Sequence, residues 1–520
     1  MSAPAVSAAT GGTPKGFRVD IQALRAVAIV VVVVFHAWPA SLPGGFVGVD
    51  VFFVISGFLI TAHLLREASA PEGLSLGRFY ARRMRRLLPA SLLTLLCTSL
   101  VVLLFLPELE WLAIFPHAIA AAAYAVNWLL AAESVDYFAA DVANPFQHFW
   151  SLSVEEQFYL VWPLLILLGV FLSAKVFRTA GRTGVIAGLL GVVAILSLVT
   201  SVWWTAEEPT IAYFATPTRA WEFAAGGLLA LVPSAWAHVL SGHRASPWIG
   251  WAGLALIAWS AATFDSAMAF PGWIAAVPVI GTVLVIAAGA SPSRYAPTWF
   301  YVIPPVQWIG GISYSLYLWH WPVLILGPVV LQRLGFPSLN RPLVLIGIAV
   351  VLAWLSRALV EDPIIRGRAL PWLQGPTWRT VAATAGAMVV VIAVAVVPVQ
   401  TVQSQLDSAH AARNNVITAL HAGAPCIGGD ALQAGCDDLN GEEYVPSLLI
   451  VRSDGSGEPC QQVQTSRLVL TCEFGDPDGT PVALIGDSHM AQWITPFKTL
   501  AEKNGWHLTT YLRSGCPVVD

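Results

Sequence analysis

The sequence predicts an all-α polytopic membrane bundle of about 11 spans followed by a polar extracytoplasmic segment. Three observations predict it. Of 520 residues, 56% are hydrophobic and 11% charged, and the mean hydropathy is +0.68. Apolar stretches of about 20 residues, long enough for a hydrocarbon core of roughly 30 Å, recur between residues 21 and 399. After Val399 the chain turns polar, and Cys426, Cys436, Cys460, Cys472 and Cys516 all follow it. Such a composition excludes a cytosolic enzyme, a disordered chain and a disulfide-stapled miniprotein. With a net charge of -4 there is no basic face for nucleic acid.

Residues 1–16 are Ala, Ser, Gly, Thr and Pro with one Lys15 and read as a flexible cytoplasmic tail. No short apolar region with a small-residue cleavage site follows, so the first span is expected to be retained. Spans are expected at 21–38, 46–65, 88–106, 149–172, 184–203, 219–239, 248–264, 273–290, 306–331, 342–360 and 380–399. The expected organisation is a membrane domain over 17–372, a final span over 373–400, and an extracytoplasmic part over 401–520. The basic residues set the orientation. With the N-terminus inside, the inner flanks collect Lys15, Arg18, Arg25, Arg66, Arg78, Arg82, Arg83, Arg85, Arg86, Lys175, Arg178, Arg182, Arg244, Arg294, Arg357, Arg366, Arg368 and Arg379. The outer flanks hold only Arg219, Arg333 and Arg341.

The apolar stretch from Ala113 to Ala132 is expected not to cross. A crossing there would move Lys175, Arg178, Arg182, Arg366 and Arg368 outside, against the positive-inside bias. An interfacial or re-entrant segment, interrupted by Pro116, His117 and Asn127, is expected instead. An odd number of crossings puts the cysteine-rich tail outside, where disulfides persist. Cys426 with Cys436 and Cys460 with Cys472 are the nearest pairings, although spacing alone leaves connectivity open. Cys97, within a span, reads as a small hydrophobe.

Ionisable groups within the spans carry the functional information, because each is costly in hydrocarbon. Arg25 and His36 lie eleven residues apart, about three helical turns, on one face and separated by roughly 16 Å along the axis. A neutral imidazole takes a proton from a hydroxyl or carries an acyl group, and an arginine holds phosphate or carboxylate. Taken singly, they also suit a boundary histidine and a snorkelling anchor. Asp50, in Gly48-Val49-Asp50-Val51-Phe52-Phe53-Val54-Ile55-Ser56-Gly57-Phe58, is placed to orient or balance His36 from the next helix, or simply to start that helix. Arg82, Arg83, Arg85 and Arg86 stand at the inner mouth of the third span, where a polyphosphate ligand or anionic lipid would account for them. Glu155 shares a helix face with Ser151 and Tyr159, while its neighbour Glu156 points about 100° away. Further polar groups occur in Thr218-Arg219-Ala220-Trp221-Glu222 and in Ser313 to Pro322, which contains His320. The many tryptophans suit interfacial belts.

Taken in order, these segments make residues 17–370 resemble the membrane acyltransferase-3 family of bacterial O-acyltransferases. The resemblance implies transfer of an acyl group, usually acetyl, from cytoplasmic acyl-CoA to a hydroxyl of a cell-envelope glycan or lipid-linked sugar. It implies His36 as the central catalytic residue, with Arg25 positioning the donor. Arg83 and Arg86 would hold the donor phosphates, although Arg82 and Arg85 offer the same spacing, and Asp50 and Glu155 are lesser candidates. Acyl-CoA enters as donor substrate, and no metal motif occurs in the sequence. A transporter or flippase of a lipid-linked sugar is the alternative class. Matching halves with broken helices would favour it, and no such internal symmetry is found.

In the tail, Val482 to Ile485 suit a short buried strand, and Gly486-Asp487-Ser488-His489 a turn at its end. This block resembles the nucleophile segment of SGNH hydrolase domains, so a partial α/β SGNH-like domain is expected, with Ser488 as nucleophile. A nucleophile needs a base held by a third group. The family's Asp-x-x-His pair lies downstream, and the sequence stops at Asp520 without it, so the domain is expected to be incomplete and to lack independent esterase activity.

Overall fold

The structure, a computed structural model, describes residues 18–133, 135, 137, 144–177, 181–232, 244–291, 293–422, 460–462 and 470–513. The expected tail 1–16 with Lys15, and also Arg178, Cys426, Cys436 and Cys516, lie outside the described residues. The chain divides into two compact units, Met1–Val399 and Gln400–Asp520.

The first unit is helical. Its elements begin with α1 (Val19–Ala37), α2 (Gly48–Ala68), α3 (Leu76–Phe105), α4 (Glu108–Ala122), α5 (Val126–Ala132) and α6 (Phe149–Lys175). They continue with α7 (Arg182–Glu207), α8 (Pro209–Phe214), α9 (Thr216–Ala230), α10 (Ser246–Thr263), α11 (Ala276–Ala288), α12 (Pro304–Arg333) and α13 (Pro342–Ser356). The final helix, α14 (Thr377–His421), runs beyond Val399, so the polar segment expected from residue 401 begins as helix.

Among the described residues, 8 helices are long and apolar enough to cross a membrane. The expectation of about 11 spans is not met on that criterion. The expected spans at 219–239, 248–264 and 273–290 coincide with α9, α10 and α11, of 15, 18 and 13 residues. At 1.5 Å per residue α11 is about 20 Å long, short of a hydrocarbon core. The stretch from Ala113 to Ala132 is broken, as expected, but not at Pro116. Pro116 and His117 lie inside α4, and the chain turns at Tyr124, which takes φ 53. Neither α4 nor α5 is long enough to cross.

Helix α2 sits innermost: 72% of its apolar window is buried, against 22% for α7. It buries most of its surface against protein, while Ser56, His63 and Arg66 line a cavity described below. Small residues allow the close approaches. A Cβ on Gly57 would stand 2.0 Å from the Phe223 carbonyl oxygen of α9, and one on Gly226 would stand 2.0 Å from that of Val54. Gly310 likewise lets α12 approach Gln22 of α1. From that crossing the two helices run in the same direction, so Arg25 meets Ser313 and, further along, His36 meets His320. Beyond α13 the helix continues as a π-turn over Arg357–Glu361. Such one-residue expansions re-aim side chains, and both Arg357 and Glu361 face a cavity described below.

The second unit contains β1 (Gln461–Gln462), β2 (Thr471–Gly475), β3 (Thr480–Gly486), α15 (Ser488–Ala491), α16 (Ile494–Asn504) and β4 (Trp506–Arg513). Strand β4 pairs in parallel with β1 and β3 and antiparallel with β2, with Leu484 opposite Thr510. The helical crossover between β3 and β4 is what a parallel pair requires. Leu484, Ile494, Ala501, Leu508 and Leu512 form its core, and Cys460 is bonded to Cys472, one of the two pairings nearest in sequence.

Candidate active site

Two polar centres lie inside the helical unit, and Tyr317 lines one and adjoins the other. The first is built around His36, near the end of α1. Its Nδ1 is 2.9 Å from His320 Nε2, and its Nε2 is 2.9 Å from the Tyr137 hydroxyl. The two imidazoles stack with centroids 5.1 Å apart, and Trp321 closes over His36 at 4.5 Å. His320 is fully buried, and its Nδ1 donates to the carbonyl oxygen of Tyr317 at 2.7 Å. A third histidine follows from Pro322. Lacking an N–H, Pro322 leaves the Leu318 carbonyl unclaimed within the helix, and His148 Nε2 donates to it at 3.0 Å. The Tyr137 ring in turn stacks on Tyr213 at 4.4 Å.

The second centre is a cavity of about 800 Å³. Its walls carry Arg25, Arg66, Arg82, Arg83, Arg85, Arg86 and Arg357, and its apolar part is formed by residues such as Phe52, Phe53 and Leu152. Arg25 Nε donates to Ser313 Oγ at 3.1 Å. Glu155 accepts from Ser56 and Tyr159, and Glu361 accepts from Ser315. The cavity also reaches Ser151 and Tyr317, whose hydroxyl groups are 2.6 Å apart. The Tyr317 ring lies 5.3 Å from that of His320. His36 is not in the cavity wall; Tyr317 lines the cavity and adjoins His320, the partner of His36.

The four clustered arginines of α3 differ in their partners. Arg82 is paired with Glu67, and Arg85 donates to the Leu373 carbonyl at 2.8 Å and to Thr380 Oγ1 at 3.2 Å. Arg83 lies over the Tyr159 ring at 4.1 Å, and Arg86 opens to the cavity with no side-chain hydrogen bond among the described residues. Positions 83 and 86 thus make no side-chain hydrogen bond among the described residues, while 82 and 85 each commit one guanidinium nitrogen to the protein.

Asp50 does not meet His36. It bonds Arg219 Nη1 at 3.0 Å, and Glu222 takes the same nitrogen at 3.1 Å. All three are buried, and Tyr213, Phe270 and Trp150 surround the guanidinium. The reason is geometric: the glycine contacts at 57 and 226 bring α9 onto α2, and an unpaired buried carboxylate takes the nearest cation. The imidazole has a second histidine as its partner instead. Sequence reasoning gave no role to His320, His148 or Tyr137. The first lay within the noted Ser313 to Pro322 segment; around Tyr137 the sequence shows no periodic pattern that would have singled it out.

In the second unit Ser488 opens α15, directly after β3. Asp487 caps that helix, its Oδ1 accepting from the His489 backbone N–H at 2.9 Å, which holds the carboxyl below its ordinary range. The His489 ring also turns to Asp487, at 3.1 Å. Among the described residues no base is bonded to Ser488.

The sequence profile described as an acyltransferase domain matches residues 18–360, and that described as an SGNH domain fused to such domains matches residues 459–520. Similar proteins include the peptidoglycan O-acetyltransferase OatA of Listeria monocytogenes, 32% identical over 370 residues, 68% of this chain and 57% of that protein. The putative peptidoglycan O-acetyltransferase YrhL of Bacillus subtilis is 31% identical over 359 residues, 66% of this chain and 54% of that one. The O-acetyltransferase OatA of Staphylococcus aureus is 33% identical over 317 residues, 59% and 50% of the respective chains. The chain spans about half the length of each of these relatives, and no solved structure matches. With most of its helical unit matched by the first profile and residues 459–520 by the second, the chain belongs to the acyltransferase-3 family of multi-pass membrane proteins and carries a match to the SGNH domain fused to it.

Proposed function

We propose that the protein transfers an acetyl group from acetyl-CoA at the cytoplasmic face of the membrane to a hydroxyl of a cell-wall glycan. The observation that carries the reading is a cavity lined by seven arginines whose wall residue Tyr317 adjoins the His36–His320 pair. Phosphates cannot enter hydrocarbon, so the nucleotide end of the donor stays with Arg83 and Arg86 while its flexible arm carries the thioester inward past Arg25. Tyr317 and Ser151 line that space, and Tyr317 adjoins His320, so the acyl end passes near Tyr317 on its way to His36. Orientation follows the basic flanks: N-terminus cytoplasmic, SGNH-like part outside.

In the reaction an acceptor O–H loses its proton to His36, the oxygen attacks the thioester carbonyl, the C–S bond breaks, and the proton passes to the leaving thiolate. The acceptor in that step is a carrier hydroxyl; outside, in the full-length protein, the Ser488 hydroxyl of the SGNH-like domain attacks the carbonyl of the carrier's acetyl ester, the carrier alcohol leaves with the serine proton, and a glycan hydroxyl then attacks the acetyl-serine, its proton returning to the Ser488 oxygen. The relatives bear names of peptidoglycan O-acetyltransferases, which supports a cell-wall acceptor.

The test is His36→Ala in a strain whose cell-wall glycan acetylation depends on this gene. We expect loss of acetyl esters by mass spectrometry, with the variant inserted and monodisperse in detergent. Normal ester content in that variant would remove His36 from the mechanism.

A further inference from the structure

The hydrogen bonds around His36 form a one-way chain. Carbonyl oxygens only accept, so His320 Nδ1, at 2.7 Å from the Tyr317 oxygen and 3.2 Å from that of Leu316, carries the proton. No carboxylate is ion-paired to either ring; the histidine ion pairs among the described residues are those of His63, His117, His489 and His507. In a neutral His320 the Nε2 is therefore a bare acceptor. It faces His36 Nδ1 at 2.9 Å, and two lone pairs cannot face each other there, so His36 Nδ1 donates. His36 Nε2 is left with its lone pair, turned to the Tyr137 hydroxyl, which donates to it.

We propose that His320 is a positioning residue that fixes His36 in the tautomer protonated at Nδ1, so that Nε2 is held as the proton acceptor of the transfer reaction. The fixing group is the helix backbone itself. Tyr317 and Leu316 supply the carbonyls, and His320 relays their polarity across to α1. His320 has no exposure to solvent, so no water competes for its Nε2. The neighbouring His148, 5.8 Å from His320, has its own proton committed to the Leu318 carbonyl and does not contribute a competing donor. The inference rests on the reading of His36 as the acid–base group of acetyl transfer.

The test uses the full chain in nanodiscs with [¹⁵N]histidine, and His36→Ala to assign the His36 ring nitrogens. In the wild type His36 is expected to show a protonated Nδ1 and a bare Nε2. In His320→Leu the His36 signals become a mixture of tautomers, and acetyl transfer from acetyl-CoA falls on the order of 10- to 100-fold at unchanged donor KM. His320→Gln, whose amide oxygen accepts from His36 Nδ1, restores the single tautomer and most of the rate. Wild-type His36 protonated at Nε2 overturns the proposal even if the Leu variant does not fold. So does a folded Leu variant with the wild-type tautomer and rate, or a Gln variant as impaired as Leu. A wild-type chain that transfers no acetyl refutes the acetyl-transfer reading instead, and the nitrogen spectrum still decides the tautomer.

Discussion

Replacing each of the four α3 arginines in turn separates donor recognition from structural support. Arg86→Ala removes a guanidinium that opens to the cavity and makes no side-chain hydrogen bond among the described residues. A charge-assisted hydrogen bond is worth about 1.5–3 kcal/mol, so losing one to a phosphate weakens donor binding by about tenfold to a hundredfold. Arg83→Ala is expected to do the same, with the loss of its contact on Tyr159 as a smaller addition. Arg85→Ala instead breaks the bonds to Leu373 and Thr380 that tie α3 to the start of α14, which costs about 1–3 kcal/mol of stability. Its effect on the donor is expected to stay below about fivefold, as for a solvated charge. Arg82→Ala loses an exposed pair with Glu67, worth about 0–1 kcal/mol. The assay is the thermal stabilisation of the purified protein by a non-transferable thioether analogue of acetyl-CoA. At a hundred times Kd the ligand stabilises by about 2.7 kcal/mol, and a tenfold weaker Kd removes about 1.3 kcal/mol of that. Loss of the ligand-induced shift in Arg82→Ala and Arg85→Ala, with retention in Arg83→Ala and Arg86→Ala, would refute the assignment. An equal loss in all four would show that the cluster acts as a diffuse positive field and not through particular donors.

Two further perturbations address the scaffold. Gly57→Ala drives a methyl group to 2.0 Å from the Phe223 carbonyl oxygen; we expect a destabilisation of about 1–3 kcal/mol, measured as a lower unfolding midpoint in detergent, and an unchanged midpoint would show that α2 and α9 are not so closely packed. Cys460→Ser opens a disulfide that closes 12 residues of chain. Loop-closure entropy assigns it about 3 kcal/mol, so β2 to β4 should become sensitive to limited proteolysis, and equal resistance in mutant and wild type would contradict that value.

The local features of the membrane unit are legible in the sequence. Apolar runs mark the helices because hydrocarbon demands internal backbone hydrogen bonding whatever the neighbours are. The eleven-residue interval between Arg25 and His36 places both on one face of α1 by helix geometry alone, and the structure sets both toward α12. The Gly486 to His489 block falls at a strand end, where β3 gives way to α15. Span counting was less readable: α10 and α11 carry apolar composition in helices whose length falls at or below the limit, and hydropathy does not register where a helix stops. The partner of Asp50 was not readable because it depends on which helix lies beside the carboxylate, and that neighbour is α9 with Arg219, not His36.

What the sequence determined by itself is therefore everything set within one helix or one strand: the apolar spans, the shared face of Arg25 and His36, and the arginine cluster at the mouth of α3. Only the tertiary structure decided what meets across helices separated by tens to hundreds of residues. It joined His36 to His320, Asp50 to Arg219, and Arg85 to Thr380, leaving Arg83 and Arg86 with donors to offer. The physical reason is that periodicity follows from the local backbone, whereas hydrogen-bond partners follow from close packing. Which helices can approach closely is governed by single glycines whose significance appears only when the opposing carbonyl is in place.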